Sequence, residues 1–343
     1  MIPEQQIDHI ASGVTLETPR PVYINDALKD HPAIKQVVYR YDGRGRRYYC
    51  VVNKSNISWY VSVTALIESQ RPKSPYLVNW QAKLGDDYIP TLNRLSSYGT
   101  WMHSMWNHAL ITGDLNISEE YIANELASHA MRNTIPIDTA EWIHTMQEDL
   151  LSFGAWALEY HPIVLAIEPV MTHPDGYAGA IDIVCRILIT EKGYYGEVHK
   201  SGPNKGKPKE STRQRIVTAI VDYKSGRKGF YENHEIQLHA YRNIWNNQFA
   251  GTEYEVEKLY NLSPKGWRTT PKFSFADQTD RESHALLSRI LETYKVDPQC
   301  YMTPPPVNRI AGSVRLGEPI DGLIETLDPA TIIRERINGG TAS

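Results

Sequence analysis

The spacing of apolar positions changes several times along this chain, and each change marks a different kind of element. Between residues 35 and 53, apolar and polar residues alternate. "KQVVYRYD" and "RYYCVVN" read as two strands joined at "GRGR" as a hairpin. The spacing then becomes three and four. "SVTALIES" predicts a short helix with Ser62 as its cap, and "SYGTWMHSMWNHALITG" a longer one stopped at Gly113. "ISEEYIANELASHAMRN" and "DTAEWIHTMQEDLLSFGAWALEY" are amphipathic helices by the same measure.

After residue 160 the apolar runs become short and continuous. "IVLAIEPVM", "YAGAIDIVCRILIT", "GYYGEVHK" and "RIVTAIVDYK" read as successive strands, some buried on both faces. A helix, "YENHEIQLHAYRNIWNNQ", and a strand, "YEVEKLYNLSP", follow. From about residue 296 the chain opens with "TPPP" and ends in a helix-like "DPATIIRERI", with Pro329 at its first turn. This order predicts an α/β or α+β fold with a mixed central sheet flanked by helices. Residues 1–58 form a β-rich extension, 59–295 the core and 296–343 an appendage. No internal repeat is present.

Composition narrows the class. The 343 residues suit one large domain with extensions or two modest ones. At 41% hydrophobic and 22% charged, the chain has the balance of a soluble globular protein. No apolar run is long enough to span a bilayer, and "MIPEQQIDHI" lacks the basic and apolar regions of a secretory signal. The expected compartment is the cytoplasm, with no membrane partner. Cys50, Cys185 and Cys300 lie far apart with no C-x-x-C, which argues against a zinc ribbon, an iron–sulfur cluster or a disulfide framework. Cys185, inside an apolar run, reads as a small core residue.

The net charge of −4 excludes a polycation, so a nucleic-acid partner needs a local basic surface. "KSGPNKGKPKESTRQR", residues 200–215, supplies one, with six basic residues, Lys205 and Lys207 among them, against one acid. Its Gly, Pro and Ser also fit a plain solvated loop. "GPNKGKPK" lacks the spacing and the Ser/Thr of a phosphate-binding P-loop.

The chemistry-bearing stretch is "AIVDYKSG", residues 219–226. Alternation along a strand puts Asp222 and Lys224 on one face and the Tyr223 side chain on the other. Alone, that pair is an ion pair at a strand end. The preceding strand also carries an acid, Asp182 in "GAIDIV", where an unpaired carboxylate is costly. Two such acids on neighbouring strands make a hard-oxygen site suited to Mg²⁺ or Mn²⁺. The Lys224 ammonium beside it can face both a water and the charge of a pentavalent phosphorane.

"GAIDIV", then "AIVDYKSG", then "QLHAY", downstream of "GTWMH", resembles the PD-(D/E)XK nuclease superfamily in its RecB-like and lambda-exonuclease-like branch. The region from "VSVTALIESQ" to "GTWMHSMW" is most similar to the mitochondrial genome maintenance exonucleases and related phage exonucleases. The resemblance covers roughly residues 60–262. It implies a restriction-endonuclease-like core with a helical N-terminal wall beside a DNA channel. It also implies Mg²⁺- or Mn²⁺-dependent hydrolysis of DNA, single-stranded or with free ends, in replication, recombination or repair. A protein partner from those processes and an oligomer are both compatible with it.

Carried over residue by residue, Asp182 and Asp222 ligate the metal, with the Tyr223 carbonyl as a backbone ligand, and Lys224 is the catalytic lysine. His103 is a ligand, or stands behind the ligands when two metals bind; without the family it reads as a core histidine. Glu168 helps hold the metal or its waters, against a strand-end ion pair. Gln237 and Tyr241, four apart on one helix, support the site or touch DNA, against a polar helix shoulder. Ser62 and Thr64 begin a helix and either cap it or hold a phosphate. Trp267 and Arg268 in "SPKGWR" are candidates for base stacking and phosphate contact. One departure stands out: Asp182 and Asp222 are 40 positions apart (222 − 182), where the family has a short hairpin. The excess holds the basic segment, either a DNA-contacting finger or an inert insertion.

Overall fold

The period-two segments of the chain pair into two mixed sheets, and the period-3.6 segments cover them. The computed structural model describes residues 19–296, except 20, 44–45, 54–55, 72, 74, 133–138, 228 and 281. Cys300, Pro329 and the rest of the final segment lie outside the described residues. In chain order the first elements are β1 (Tyr23–Ile24), α1 (Pro32–Lys35), β2 (Tyr39–Gly43), β3 (Arg46–Asn53) and β4 (Asn56–Ser62). Helices α2 (Val63–Gln70), α3 (Pro75–Leu84), α4 (Tyr88–Thr112), α5 (Glu119–Arg132) and α6 (Thr139–Tyr160) follow. Then come β5 (Ile163–Ile167), β6 (Val170–His173), β7 (Tyr177–Ala180), β8 (Ile183–Gly193) and β9 (Ser211–Tyr223). The last are α7 (Glu232–Phe249), β10 (Lys258–Lys265), β11 (Lys272–Asp277) and α8 (Ser283–Val296).

The larger sheet has the order β1-β5-β8-β9-β10-β11, antiparallel throughout except for the parallel β9/β10 pair. The smaller has the order β2-β3-β4-β7-β6. The expected β2/β3 hairpin is present, and it belongs to this sheet, because β4 pairs in parallel with β7 through Val61↔Tyr177 and Ser62↔Ala178. The fold is therefore α+β with two mixed sheets. Among the described residues no helix is long and apolar enough to cross a membrane.

Two strands read as continuous are broken. "IVLAIEPVM" leaves the large sheet at Ile167 and enters the small one at Val170. Pro169 has no N–H for the ladder, and Glu168 takes a left-handed φ of 52°. "YAGAIDIVCRILIT" crosses the other way between Ala180 and Ile183. The two crossings are stitched together: the Glu168 N–H donates to the Asp182 carbonyl at 3.0 Å and the Ile181 N–H to the Pro169 carbonyl at 3.1 Å. "GYYGEVHK" is not a strand. Beyond β8 the chain runs through turns to a single bridge, Val198↔Pro208, with Gly196 at φ 86° and Tyr194 71% exposed. With no second layer to cover it, that segment has no face to bury. Helices α3 and α8 were not foreseen. The Leu287, Ile290 and Leu291 spacing of α8 carries the helical period; α3 buries no residue.

Each face of the large sheet has its own core. Along β9, Ile220 packs with Ile236, Ala240 and Ile244 of α7. Val221 and Tyr223 turn to the opposite face and pack with Trp101 and Trp106 of α4 and with Phe153 and Trp156 of α6. Cys185 joins this second core, fully buried as expected. Trp106 is 0% exposed, its ring 4.7 Å from Phe153 and 5.1 Å from Tyr223. Trp106→Ala should therefore lower the free energy of unfolding by about 3–5 kcal/mol, read from denaturant titration.

Candidate active site

Asp222 and Lys224 sit at the end of β9, and the pleat puts them on the α7 side. The Lys224 ammonium lies 2.9 Å from Oδ1 and 2.7 Å from Oδ2 of Asp222. It also donates to Gln237 Oε1 at 3.3 Å. The Tyr223 ring turns the other way into the aromatic core, 1% exposed. Asp182, at the crossing that leads into β8, reaches across, and its Oδ2 accepts the Tyr223 N–H at 2.8 Å. Forty positions of sequence are thus closed by register: Ile183 faces Val221 and eleven pairs run outward from there. The long separation is a long hairpin.

The two acids are poorly solvated and repel each other. Burial pushes the Asp222 carboxyl up to about 6, with Asp182 adding to the rise and Lys224 opposing it. Burial raises Asp182 too. His103, on α4, brings Nδ1 to 4.0 Å from Asp182 Oδ2 with 26% of its side chain exposed. Burial and the nearby Lys224 charge lower its pKa to about 4, so the imidazole is neutral at ordinary pH. A main-chain group of Tyr223 opposes that drop. The His103 ring also meets the Tyr223 ring edge-on, with centroids 5.4 Å apart.

Glycines shape the approach. Gly99, one helical turn before His103, lies where an added Cβ would come within 3.2 Å of Ser225 Oγ. The loop after β9 packs directly on α4 there. At Gly179 a Cβ would come within 2.6 Å of the Tyr241 ring. Tyr241 is 5% exposed, and its hydroxyl accepts from Gln237 Nε2 at 2.7 Å. Gln237 in turn accepts from Lys224. Gln237 and Tyr241 therefore form a brace for the lysine.

Glu168 is a crossing residue rather than a strand acid. Its Oε1 accepts from the buried Asn107 Nδ2 at 2.9 Å. Burial and Asp182 raise its carboxyl. It is near enough to feel Asp182 and His103, but it does not line the cleft described next.

Asp182, Asp222, Lys224, His103, Gln237 and Tyr241 line a cleft of about 1950 Å³. Ser62 and Thr64 line it as well. Ser62 Oγ accepts the Ala65 N–H at 3.1 Å, the capping role, while Thr64 is exposed. Across the cleft, Tyr76, Trp80, Leu92 and Leu95 of α3 and α4 present an apolar wall, with Arg47, Arg71 and Lys73 around it.

A second polar cluster escaped sequence reasoning. Asp149, 1% exposed on α6, accepts from Tyr98 Oη at 2.7 Å and from Arg227 at 2.5 Å. Arg227 also meets Glu148 at 3.0 Å. Three residues beyond the lysine, Arg227 ties the loop that closes the cleft to the helical layer. The only signal in sequence was a polar residue on an apolar helix stripe.

The remaining candidates lie elsewhere. Lys205 and Lys207 ride on the β8–β9 tip, at the outer end of eleven residue pairs, about 35 Å from Asp182 at ~3.4 Å per residue. Trp267 and Arg268 occupy the β10–β11 turn and do not line the cleft.

The donor set fits a hard divalent cation. One buried and one half-buried carboxylate and a neutral imidazole suit an ion that keeps most of its water. Among the described residues no three His, Cys, Asp or Glu side chains already converge as a closed metal cage. An open site resting on two acids is a different arrangement. No family model and no curated protein matches this chain.

Arg227→Ala should cost toward the low end of about 3–5 kcal/mol, since Asp149 loses its charge partner while Arg227 itself is 33% exposed. Burial already raises the Asp149 carboxyl, and losing the guanidinium raises it further. The ionised group then opposes folding above its folded pKa and stops doing so below the unfolded value of about 3.9. The deficit in unfolding free energy should therefore be largest near neutral pH and shrink as pH falls.

Proposed function

We propose that this protein is a metal-dependent deoxyribonuclease of the PD-(D/E)XK type, acting as an exonuclease on single-stranded or end-frayed DNA in replication, recombination or repair. The observation that carries this reading is the meeting of Asp182, Asp222 and Lys224 at adjacent strand ends, with His103 opposite, inside one cleft. An ion pair kept only for stability needs neither a second, half-buried acid nor a neutral imidazole.

Asp182 and Asp222 would hold Mg²⁺ or Mn²⁺, with the Tyr223 carbonyl and His103 at its margin. When bound, such an ion supplies a Lewis acid and a water of lowered pKa. Lys224, steadied by Gln237, donates hydrogen bonds to the attacking water or a phosphate oxygen and offsets charge as the phosphorus becomes pentavalent. The water oxygen bonds to phosphorus as it gives up a proton to solvent, the opposite P–O ester bond breaks, and its electron pair leaves with the departing alkoxide, which takes a proton from solvent. Ser62 and Thr64, at the N-terminus of α2, face the same space and suit a neighbouring phosphate. The aromatic and apolar wall of α3 and α4 suits unpaired bases better than a duplex.

Purified protein should release nucleotides from end-labelled single strands with Mg²⁺ or Mn²⁺, stop with chelator and leave circular single strands intact. Lys224→Ala should lower the rate by about 10²–10³ with binding retained. Cleavage of circles at the same rate as linear strands points instead to an endonuclease. No cleavage under any of these conditions sinks the nuclease reading. Removing residues 201–210 should weaken binding, and flatten its salt dependence, only for substrates long enough to reach the tip, about ten base pairs of duplex at 3.4 Å each.

A further inference from the structure

Behind Asp222, on the side away from the cleft, two neutral amides are buried in line. Asn261 stands at the register position of Asp222 on the parallel neighbour β10 and is 0% exposed. Its Nδ2 donates to Asp222 Oδ2 at 2.7 Å. Gln278, just past β11 and 2% exposed, donates from Nε2 to Asn261 Oδ1 at 3.2 Å. Gln278 is anchored through its main chain, whose N–H donates to the Leu259 carbonyl at 2.8 Å.

This arrangement is expensive for packing alone. Leu259, two residues before Asn261 on the same face of β10, is fully buried in an apolar core, so an aliphatic side chain suits the layer. Gln278 Oε1 has no hydrogen-bond partner among the described residues. An amide held on its donor side only contributes little to its own stability. What it does have is direction. With Asn261 Oδ1 occupied by Gln278, only the Nδ2 end is left to face Asp222. That end can donate, as a carboxylate requires.

We propose that Asn261 and Gln278 form a positioning relay that fixes the Asp222 carboxylate for divalent-cation binding. Asn261 takes one sector of Oδ2 from behind while Lys224 spans both oxygens from the cleft side, and together they set the plane of the carboxylate. Gln278 prevents the Asn261 amide from turning over. The relay rests on the reading that Asp182 and Asp222 hold a metal ion. Groups that orient a ligating carboxylate from behind commonly contribute 10–100-fold to metal affinity.

The test is calorimetric titration of the full-length protein with Mn²⁺, without DNA, for the unaltered chain, Asn261→Leu, Gln278→Met and the double variant, with thermal unfolding of each. Asn261→Leu should weaken Mn²⁺ binding by about 10–100-fold, and Gln278→Met by a smaller but measurable factor. The double variant should bind no more weakly than Asn261→Leu, because Gln278 acts through Asn261. Gln278→Met leaves every direct contact to Asp222 in place and carries the test alone should Asn261→Leu fail to fold. Mn²⁺ affinity unchanged in the variants, or losses that simply add, overturns the relay and leaves the metal site standing. Failure of the unaltered protein to bind Mn²⁺ overturns the metal site and the relay together.

Discussion

A carboxylate buried to 1% exposure at the end of a central strand is costly, and the surrounding architecture answers that cost from three sides. Lys224 supplies the countercharge from the same strand. Asn261 supplies a neutral donor from the parallel neighbour. Asp182 stands close enough to work against ionisation, and the Gln237–Tyr241 pair keeps Lys224 in reach. These compensations leave the acid ionisable but uncomfortable. On the proposed reading that condition suits a cation site, and a settled salt bridge does not have it.

The crossings between the two sheets place the second acid. Each of two chain segments leaves one sheet and enters the other within two or three residues, and the hydrogen bonds between them lock the breaks in register. Asp182 belongs to one break and Glu168 to the other. A break frees a side chain from the ladder's alternation, so an acid there can turn toward a neighbouring strand. Glu168 keeps a left-handed backbone without being glycine, a conformation that costs energy and persists only where surrounding contacts hold it. The Asn107 hydrogen bond is one such contact.

The cleft divides the labour between layers. The strand ends of the large sheet and α7 present the polar chemistry, while α3 and α4 present apolar side chains that face solvent instead of a core. The basic tip of the β8–β9 hairpin lies at the far end of the same two strands. A polymer running along the hairpin can touch both, but the tip cannot act on a phosphate held at Asp222.

Periodicity and single residues sufficed for much of this. The helices with their caps at Ser62 and Gly113, the shared face of Asp222 and Lys224, and the inward Tyr223 ring follow from local geometry that a few consecutive residues determine. The alternation at the end of "KQVVYRYD" marked a hairpin strand for the same reason, and the strand begins at Tyr39. What the tertiary structure decided depends on residues distant in the chain. No local pattern says that β5 and β6 belong to different sheets, that "GYYGEVHK" lacks a layer to pack on, or that Trp267 and Arg268 fall outside the cleft. Asn261 and Gln278 look like ordinary polar residues in sequence. They acquire a role only because parallel pairing sets β10 beside β9 and brings one amide to a carboxylate 39 positions away (261 − 222).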